Sequence, residues 1–179
     1  MNFIQIDNEG IALEAFQVTS PNFDARPEPN DISMVVIHNI SLPPQTYGGS
    51  GVIELFTNNI NPQDHPYFEK IQGLKVSSHF FIRRDGSLIQ FVSCCKRAWH
   101  AGQSQWKNKS RCNDFSIGIE LEGSDFDAFT DKQYECLNRL IHGIKRVYPI
   151  KDVVGHSDIS PGRKTDPGPF FDWQRVLVD

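Results

Sequence analysis

The sequence predicts an α/β fold: a single domain with a central mixed β-sheet flanked by helices. Three observations carry the prediction. The strand patterns Met34 to Asn39, Phe115 to Glu122 and Val153-Val154 bracket a helical periodicity between Thr130 and Ile144, as a crossover between parallel strands requires. The runs Ser77 to Arg83 and Ser87 to Ser93 flank Arg84-Asp85-Gly86, a hairpin signal that adds an antiparallel pair. A length of 179 residues suits one domain, 1–179, with a real core.

The elements follow in order. Up to Pro29 the chain is mixed, with Phe16, Val18 and Phe23 spaced as an anchor, and Pro21, Pro27 and Pro29 keep it irregular. Met34 to Asn39 is continuous and β-branched, which suits a strand covered on both faces, and it switches abruptly to polar at His38-Asn39. Ser41 to Gly51 is a loop by its prolines and glycines. Val52 to Phe56 reads as a short helix, and a second runs from Asp64-His65-Pro66 through Ile71, with Asp64 near the N-cap. Tyr47, Phe56 and Phe68 are read as core.

On the first hairpin arm His79, Phe81 and Arg83 share one face, and His79 reads as a hydrogen-bonded interior group. Arg97 to Gly102 places Trp99 beside His100. Together they form either a platform for a sugar or peptide plane or a surface patch, and sequence alone weighs these evenly. Phe115 to Glu122 alternates, with Ser116, Gly118, Glu120 and Glu122 on the face that gives backbone room and then presents carboxylates. Glu120 is the general acid/base candidate, and Glu122 is expected to be exposed. Thr130 and Gln133 form a capping box for a helix that Pro149 stops, with His142 off its apolar face. The crossover to Val153-Val154 is expected to bring Glu120 and His156 to neighbouring strand ends. The tail from Phe170 to Val178 is expected to form a short helix with Trp173 packed on the domain.

Composition excludes several classes. Eighteen basic residues stand against 22 acidic ones with no basic block, so nucleic-acid binding has no electrostatic support. No apolar run is long enough to span a bilayer, and the first residues lack the pattern of a signal peptide, so a soluble, cytoplasmic monomer with no membrane partner is expected. Cys94, Cys95, Cys112 and Cys136 contain no C-x-x-C pair and are expected to be reduced thiols.

The stretch Val153 to Pro169 carries the chemistry. It sets His156, Asp158, Arg163, Lys164 and Asp166 among Pro161, Gly162, Pro167, Gly168 and Pro169, a density of shaped backbone that a plain connector does not need. His156 and Asp166 offer imidazole and carboxylate to a divalent ion such as Zn²⁺, and His38, delivered at the end of a buried strand, is the best third ligand. Two His and one Asp leave such an ion at a net charge of about +1, able to polarise a carbonyl and acidify water.

Five motifs stand out: V-V-I-H-N-I-S-L-P-P (Val35 to Pro44), S-S-H-F-F-I-R-R-D-G (Ser77 to Gly86), R-A-W-H-A-G (Arg97 to Gly102), N-D-F-S-I-G-I-E-L-E-G (Asn113 to Gly123) and G-H-S-D-I-S-P-G-R-K-T-D-P-G-P (Gly155 to Pro169). In this order they resemble the type 2 N-acetylmuramyl-L-alanine amidases, and within that family its cytoplasmic, peptidoglycan-recycling branch. The resemblance runs from about residue 18 to 176 and implies a fold similar to phage T7 lysozyme and the peptidoglycan recognition proteins. It implies Zn²⁺ on His38, His156 and Asp166, with Glu120 and Lys164 as catalytic residues and an anhydromuropeptide as substrate. It further implies substrate contacts at Trp99 and Arg111, the latter on a terminal diaminopimelate carboxylate, and near Asn39 and His100. At Lys75 the family carries an Arg, whose bidentate contact Lys cannot reproduce.

Two other functions are compatible with parts of the pattern. A non-catalytic peptidoglycan-binding module would keep a groove without an acid/base residue. A non-haem iron oxygenase uses two His and a carboxylate, and His156-Ser157-Asp158 reads H-x-D, but no histidine follows His156 to complete that motif.

Overall fold

Strict alternation along two long strands sets the architecture of the computed structural model, which describes residues 3–176. The chain passes in order through β1 (Phe16–Gln17), β2 (Phe23–Ala25), β3 (Met34–Ile40), α1 (Gly51–Phe56), α2 (Pro66–Ile71), β4 (Phe80–Ile82), β5 (Leu88–Gln90) and β6 (Lys96–Ala98). It continues through β7 (Gln105–Trp106), β8 (Lys109–Ser110), β9 (Ser116–Glu122), α3 (Asp131–Val147), β10 (Asp152–Gly155) and α4 (His156–Ile159). Six strands form one mixed sheet in the order β1-β5-β4-β9-β3-β10. β3 runs parallel to both β9 and β10, and the β4/β5 hairpin supplies the antiparallel pair.

Successive strand residues point to opposite faces. Val35, Ile37, Ile117, Ile119 and Leu121 therefore meet one layer, the face of α3 carrying Leu137, Leu140, Ile141 and Ile144. Residues of the other parity, including Met34 and Val36, pack under Ala101, Phe115 and Ile159, while Phe81 and Ile89 lie beneath α1 and α2. Both faces are thus covered, as the apolar run of β3 requires. Helix α3 begins with the capping box: Thr130 Oγ1 accepts from Gln133 N at 3.2 Å, and Gln133 Oε1 accepts from Thr130 N at 3.1 Å. Gly86, at φ 85°, closes the hairpin turn.

Several expectations are corrected. β10 pairs with β3 and not with β9, so Glu120 and His156 do not stand on neighbouring strands: the strand bearing His38 lies between them. The N-cap of α2 is His65, whose Nδ1 accepts from Tyr67 N, so Asp64 stands next to the N-cap as expected. Phe16 is no anchor, being 69% exposed on an edge strand. Val18 and Phe23 do pack against the core as expected, and Ile4, Ile6 and Ala12 join it from the N-terminal segment. In place of the helix expected from Phe170, residues 173–175 form a single 3₁₀ turn, with Trp173 half-exposed against Phe171, and residues 170–172 and 176 are not helical; residues 177–178 of that expectation lie outside the described residues.

Glu122 is buried, where an exposed strand end was expected. Its Oε1 accepts from Gly48 N at 2.6 Å and its Oε2 from Arg84 N at 3.0 Å, tying the loop after β3 to the hairpin. Tyr47 reinforces the tie through a 2.5 Å hydrogen bond to Asp127 Oδ2. Glu122→Ala strands two amide donors and should cost about 1–3 kcal/mol in urea unfolding.

Candidate active site

The C-terminal ends of parallel strands are where an open α/β sheet has room for a ligand. Here a cleft of about 460 Å³ opens at the ends of β3 and β9 and at the start of α4. Leu55, Ile71 and Val76 form an apolar wall on one side, and the loops at Ser124 to Phe126 and Arg163 to Asp166 form the other.

At its floor three side chains converge. His38 comes from β3 and His156 from the first position of α4, one step past β10, while Asp166 comes from the loop beyond. His38 Nδ1 lies 3.0 Å from His156 Nδ1 and 2.9 Å from Asp166 Oδ2, and His156 Nδ1 lies 3.0 Å from the same oxygen. The loop holds its shape because Asp158 Oδ2 accepts from Gly155 N at 2.7 Å and Ser157 N donates to Asp166 O at 2.9 Å. Asp158 is thereby occupied in structure and stays out of the cluster, so the H-x-D reading of an iron oxygenase has no geometric counterpart.

The hydrogen bonds around the rings fix their tautomers. His156 Nε2 faces the carbonyl of Ala101 at 3.0 Å and must donate to it, which leaves Nδ1 bare. Burial pushes the His38 pKa down to about 4 despite the opposing Asp166 carboxylate, so its ring is neutral near pH 7. Two imidazole nitrogens and a carboxylate oxygen gathered this closely repel one another unless a cation joins them. The donor set matches what Zn²⁺ takes in a hydrolytic site, with a position left open.

Glu120 is the Cα partner of His38 across β3 and β9, and its Oε1 stands 4.0 Å from His38 Nδ1. Its Oε2 is buried without a hydrogen-bond partner among the described residues. Burial, reinforced by Asp166 and opposed by Lys164, raises its pKa well above the ordinary carboxylate value, which makes it a stronger base. Lys164 lines the same cleft.

The remaining sequence candidates divide. Asn39 lines the cleft but spends its amide on Asp125 Oδ1 at 2.8 Å and Pro167 O at 3.0 Å, locking both loops to β3. His100 also lines it, with both ring nitrogens in hydrogen bonds. Trp99 is half-buried and outside the cleft lining, pairing through its backbone with Ser77. Arg111 is exposed, at φ 61°, with Nε 3.3 Å from Asp114 Oδ2. Lys75 lines a separate small pocket beside Leu55 and Leu74. His79 is fully buried, as expected of an interior group: its Nδ1 accepts from Gly118 N at 3.0 Å and its Nε2 faces Lys96 O.

Sequence reasoning missed Arg163 as a site residue. Its Nη2 donates to the carbonyls of Ala101 and Gln103, at 2.8 and 2.7 Å, so it clamps the loop that receives His156 Nε2. It missed Asn113 as well, whose Oδ1 accepts from His100 N and Ala101 N. Neither leaves a local signal, because both act on backbone carbonyls or amides remote in sequence.

Comparison with known proteins places this geometry. Residues 28–169 match the family model described as N-acetylmuramoyl-L-alanine amidase. The chain is 51% identical over 172 residues to the 1,6-anhydro-N-acetylmuramyl-L-alanine amidase AmpD of Escherichia coli (strain K12), covering 95% of this chain and 94% of that one. A crystal structure of an AmpD selenomethionine derivative superposes with a TM-score of 0.92 at 51% identity, covering 94% and 96% of the two chains. The E. coli amidase AmiD, solved with the substrate anhydro-N-acetylmuramic acid-L-Ala-D-γ-Glu-L-Lys, superposes at 0.64 with 31% identity, covering 86% of this chain and 59% of that one. The peptidoglycan recognition protein PGRP-SA of Apis mellifera shares the fold at 0.57 with 18% identity, covering 87% and 90%. With its sequence and fold both agreeing with these relatives, the chain belongs to the N-acetylmuramoyl-L-alanine amidases.

Proposed function

We propose that this amidase is zinc-dependent and acts on anhydromuropeptides in peptidoglycan recycling, cutting the amide between the lactyl group of 1,6-anhydro-N-acetylmuramic acid and L-alanine. The observation that carries the reading is the meeting of His38, His156 and Asp166 beside the unpartnered Glu120 Oε2. Zinc held by those three side chains supplies a Lewis acid that polarises the scissile carbonyl and lowers the pKa of water. Glu120 takes the proton of the attacking water at Oε2 and returns it to the leaving L-alanine nitrogen. Lys164 holds the negative charge that develops on the carbonyl oxygen. The apolar wall at Leu55 and Ile71 excludes water from one side of the bond.

Substrate contacts are assigned to Asn39, at the cleft floor, and to Trp99 and Arg111 on the loops beyond the enclosed cavity, with the exposed Arg111 guanidinium offered to a peptide carboxylate. Lys75 contributes a point charge from the neighbouring pocket. A cytoplasmic setting is supported by four free cysteines, and among the described residues no helix is long and apolar enough to cross a membrane. Every member of the site comes from one chain, so a monomer suffices.

The test is hydrolysis of an anhydromuropeptide and its reducing-end counterpart, before and after treatment with a zinc chelator. Activity should vanish with chelation, return with one equivalent of Zn²⁺, and favour the anhydro form. Chelator-resistant turnover would remove the zinc assignment, and equal rates on both sugars would remove the recycling assignment.

A further inference from the structure

The second ring nitrogen of His38 meets another imidazole, and that imidazole is itself held. His38 Nε2 lies 3.0 Å from His100 Nδ1, His100 Nε2 lies 3.2 Å from Ser116 Oγ, and Ser116 Oγ lies 2.6 Å from the carbonyl oxygen of Cys112. The direction of this chain follows from its far end. A carbonyl oxygen only accepts, so the Ser116 hydroxyl spends its single proton on Cys112 O and must accept from His100 Nε2–H. In a neutral ring His100 Nδ1 is then bare and accepts from His38 Nε2–H. His38 Nδ1 is left bare, facing His156 and Asp166.

The packing that holds His100 in place is equally specific. A Cβ at Gly118 would sit 2.5 Å from His100 Cγ, so only glycine on β9 leaves space for the ring. Asn113 Oδ1 accepts from the backbone N of His100 and of Ala101, at 3.2 and 2.8 Å, and sets the ring's approach.

We propose that His100 is a positioning residue that, through Ser116 and the Cys112 carbonyl, holds His38 in the Nε2–H tautomer and so presents its Nδ1 lone pair to the metal. The role replaces a substrate contact for His100, since neither ring nitrogen is left for a ligand. It deepens the zinc reading above and rests on it for its consequence, though not for the tautomer itself.

The experiment uses the full chain in zinc-free and zinc-loaded forms, with His100→Phe, His100→Gln and Ser116→Ala. In the zinc-free wild type, ¹⁵N shifts of the His38 ring should report a protonated Nε2 and a bare Nδ1. His100→Phe, which keeps an aromatic ring but removes the acceptor, should mix the two tautomers and weaken zinc binding about 10–100-fold in competition with a chromophoric chelator. His100→Gln, whose side-chain oxygen can accept from His38, should recover most of that loss. Ser116→Ala should weaken binding by less than His100→Phe does, and it carries the test alone if the Phe variant does not fold.

Unchanged His38 shifts and unchanged zinc affinity in folded His100→Phe, or in Ser116→Ala if that variant must stand alone, overturn the proposal. A wild type that binds no zinc, yet loses its single His38 tautomer in His100→Phe, sinks the zinc reading and leaves the positioning role standing.

Discussion

Glu120→Gln should lower turnover of the anhydromuropeptide by about 10²–10⁴-fold, the range expected when a positioned general base is lost, while zinc content and unfolding midpoint stay within error of wild type. Glutamine keeps the shape of the side chain and can still sit opposite His38 across β3 and β9. It cannot take a proton from water. Because Glu120 Oε2 has no hydrogen-bond partner among the described residues, the substitution breaks no structural hydrogen bond there, and the loss falls on chemistry alone. Burial raises the carboxyl's proton affinity, which suits a group that must first accept a proton and then surrender it to the leaving nitrogen. Lys164→Ala in the same assay should lose about 10²–10³-fold through the unshielded oxyanion. Turnover within a few-fold of wild type in Glu120→Gln would mean that another group moves the proton.

The two halves of the site were legible to different depths. Local patterns carried the strands: the switch to polar at His38 and the alternation of Ser116, Gly118 and Glu120 depend only on period and burial, which a single strand records. The capping box at Thr130 and the hairpin at Arg84-Asp85-Gly86 are local in the same sense. Strand order is not. That β10 lies against β3 and away from β9 depends on which strand edge is free once the hairpin has joined β4 to β9, and no local run of residues records that.

Glu122 illustrates a second kind of gap. Its position on the acidic face was readable, but the two amides that bind its carboxylate come from Gly48 and Arg84, both far earlier in the chain. The pair Trp99 and His100 shows a third. Adjacency suggested a shared platform, yet the backbone there turns His100 inward over Gly118 and leaves Trp99 outside the cleft. The small residues Ser116 and Gly118 were the only sequence trace of that ring, and they became readable only when set beside it.

The N-terminal segment left the weakest trace, and one glycine of α3 reveals how it is held. A glycine inside a helix costs up to about 1 kcal/mol against alanine, so Gly143 at the buried face of α3 needs a compensating contact. That contact is backbone: a Cβ at position 143 would come within 1.9 Å of the Ile4 carbonyl oxygen, while Ile4 N donates to Arg139 O at 3.1 Å. Gly143→Ala should therefore push residues 3–6 off the helix. Lifting Ile4 and Ile6 gives up about 1.5–3 kcal/mol of burial each, which outweighs the gain in helix propensity and predicts a net loss of roughly 2–5 kcal/mol in urea unfolding. The cycle that isolates the cause removes residues 1–6 first: in the shortened chain the same substitution should be neutral or stabilising by up to about 1 kcal/mol. Equal destabilisation in both backgrounds would place the strain inside α3. Since α3 covers the sheet face opposite His38 and Glu120, turnover by the folded fraction should be unchanged in either case, which separates the support of the fold from the chemistry it carries.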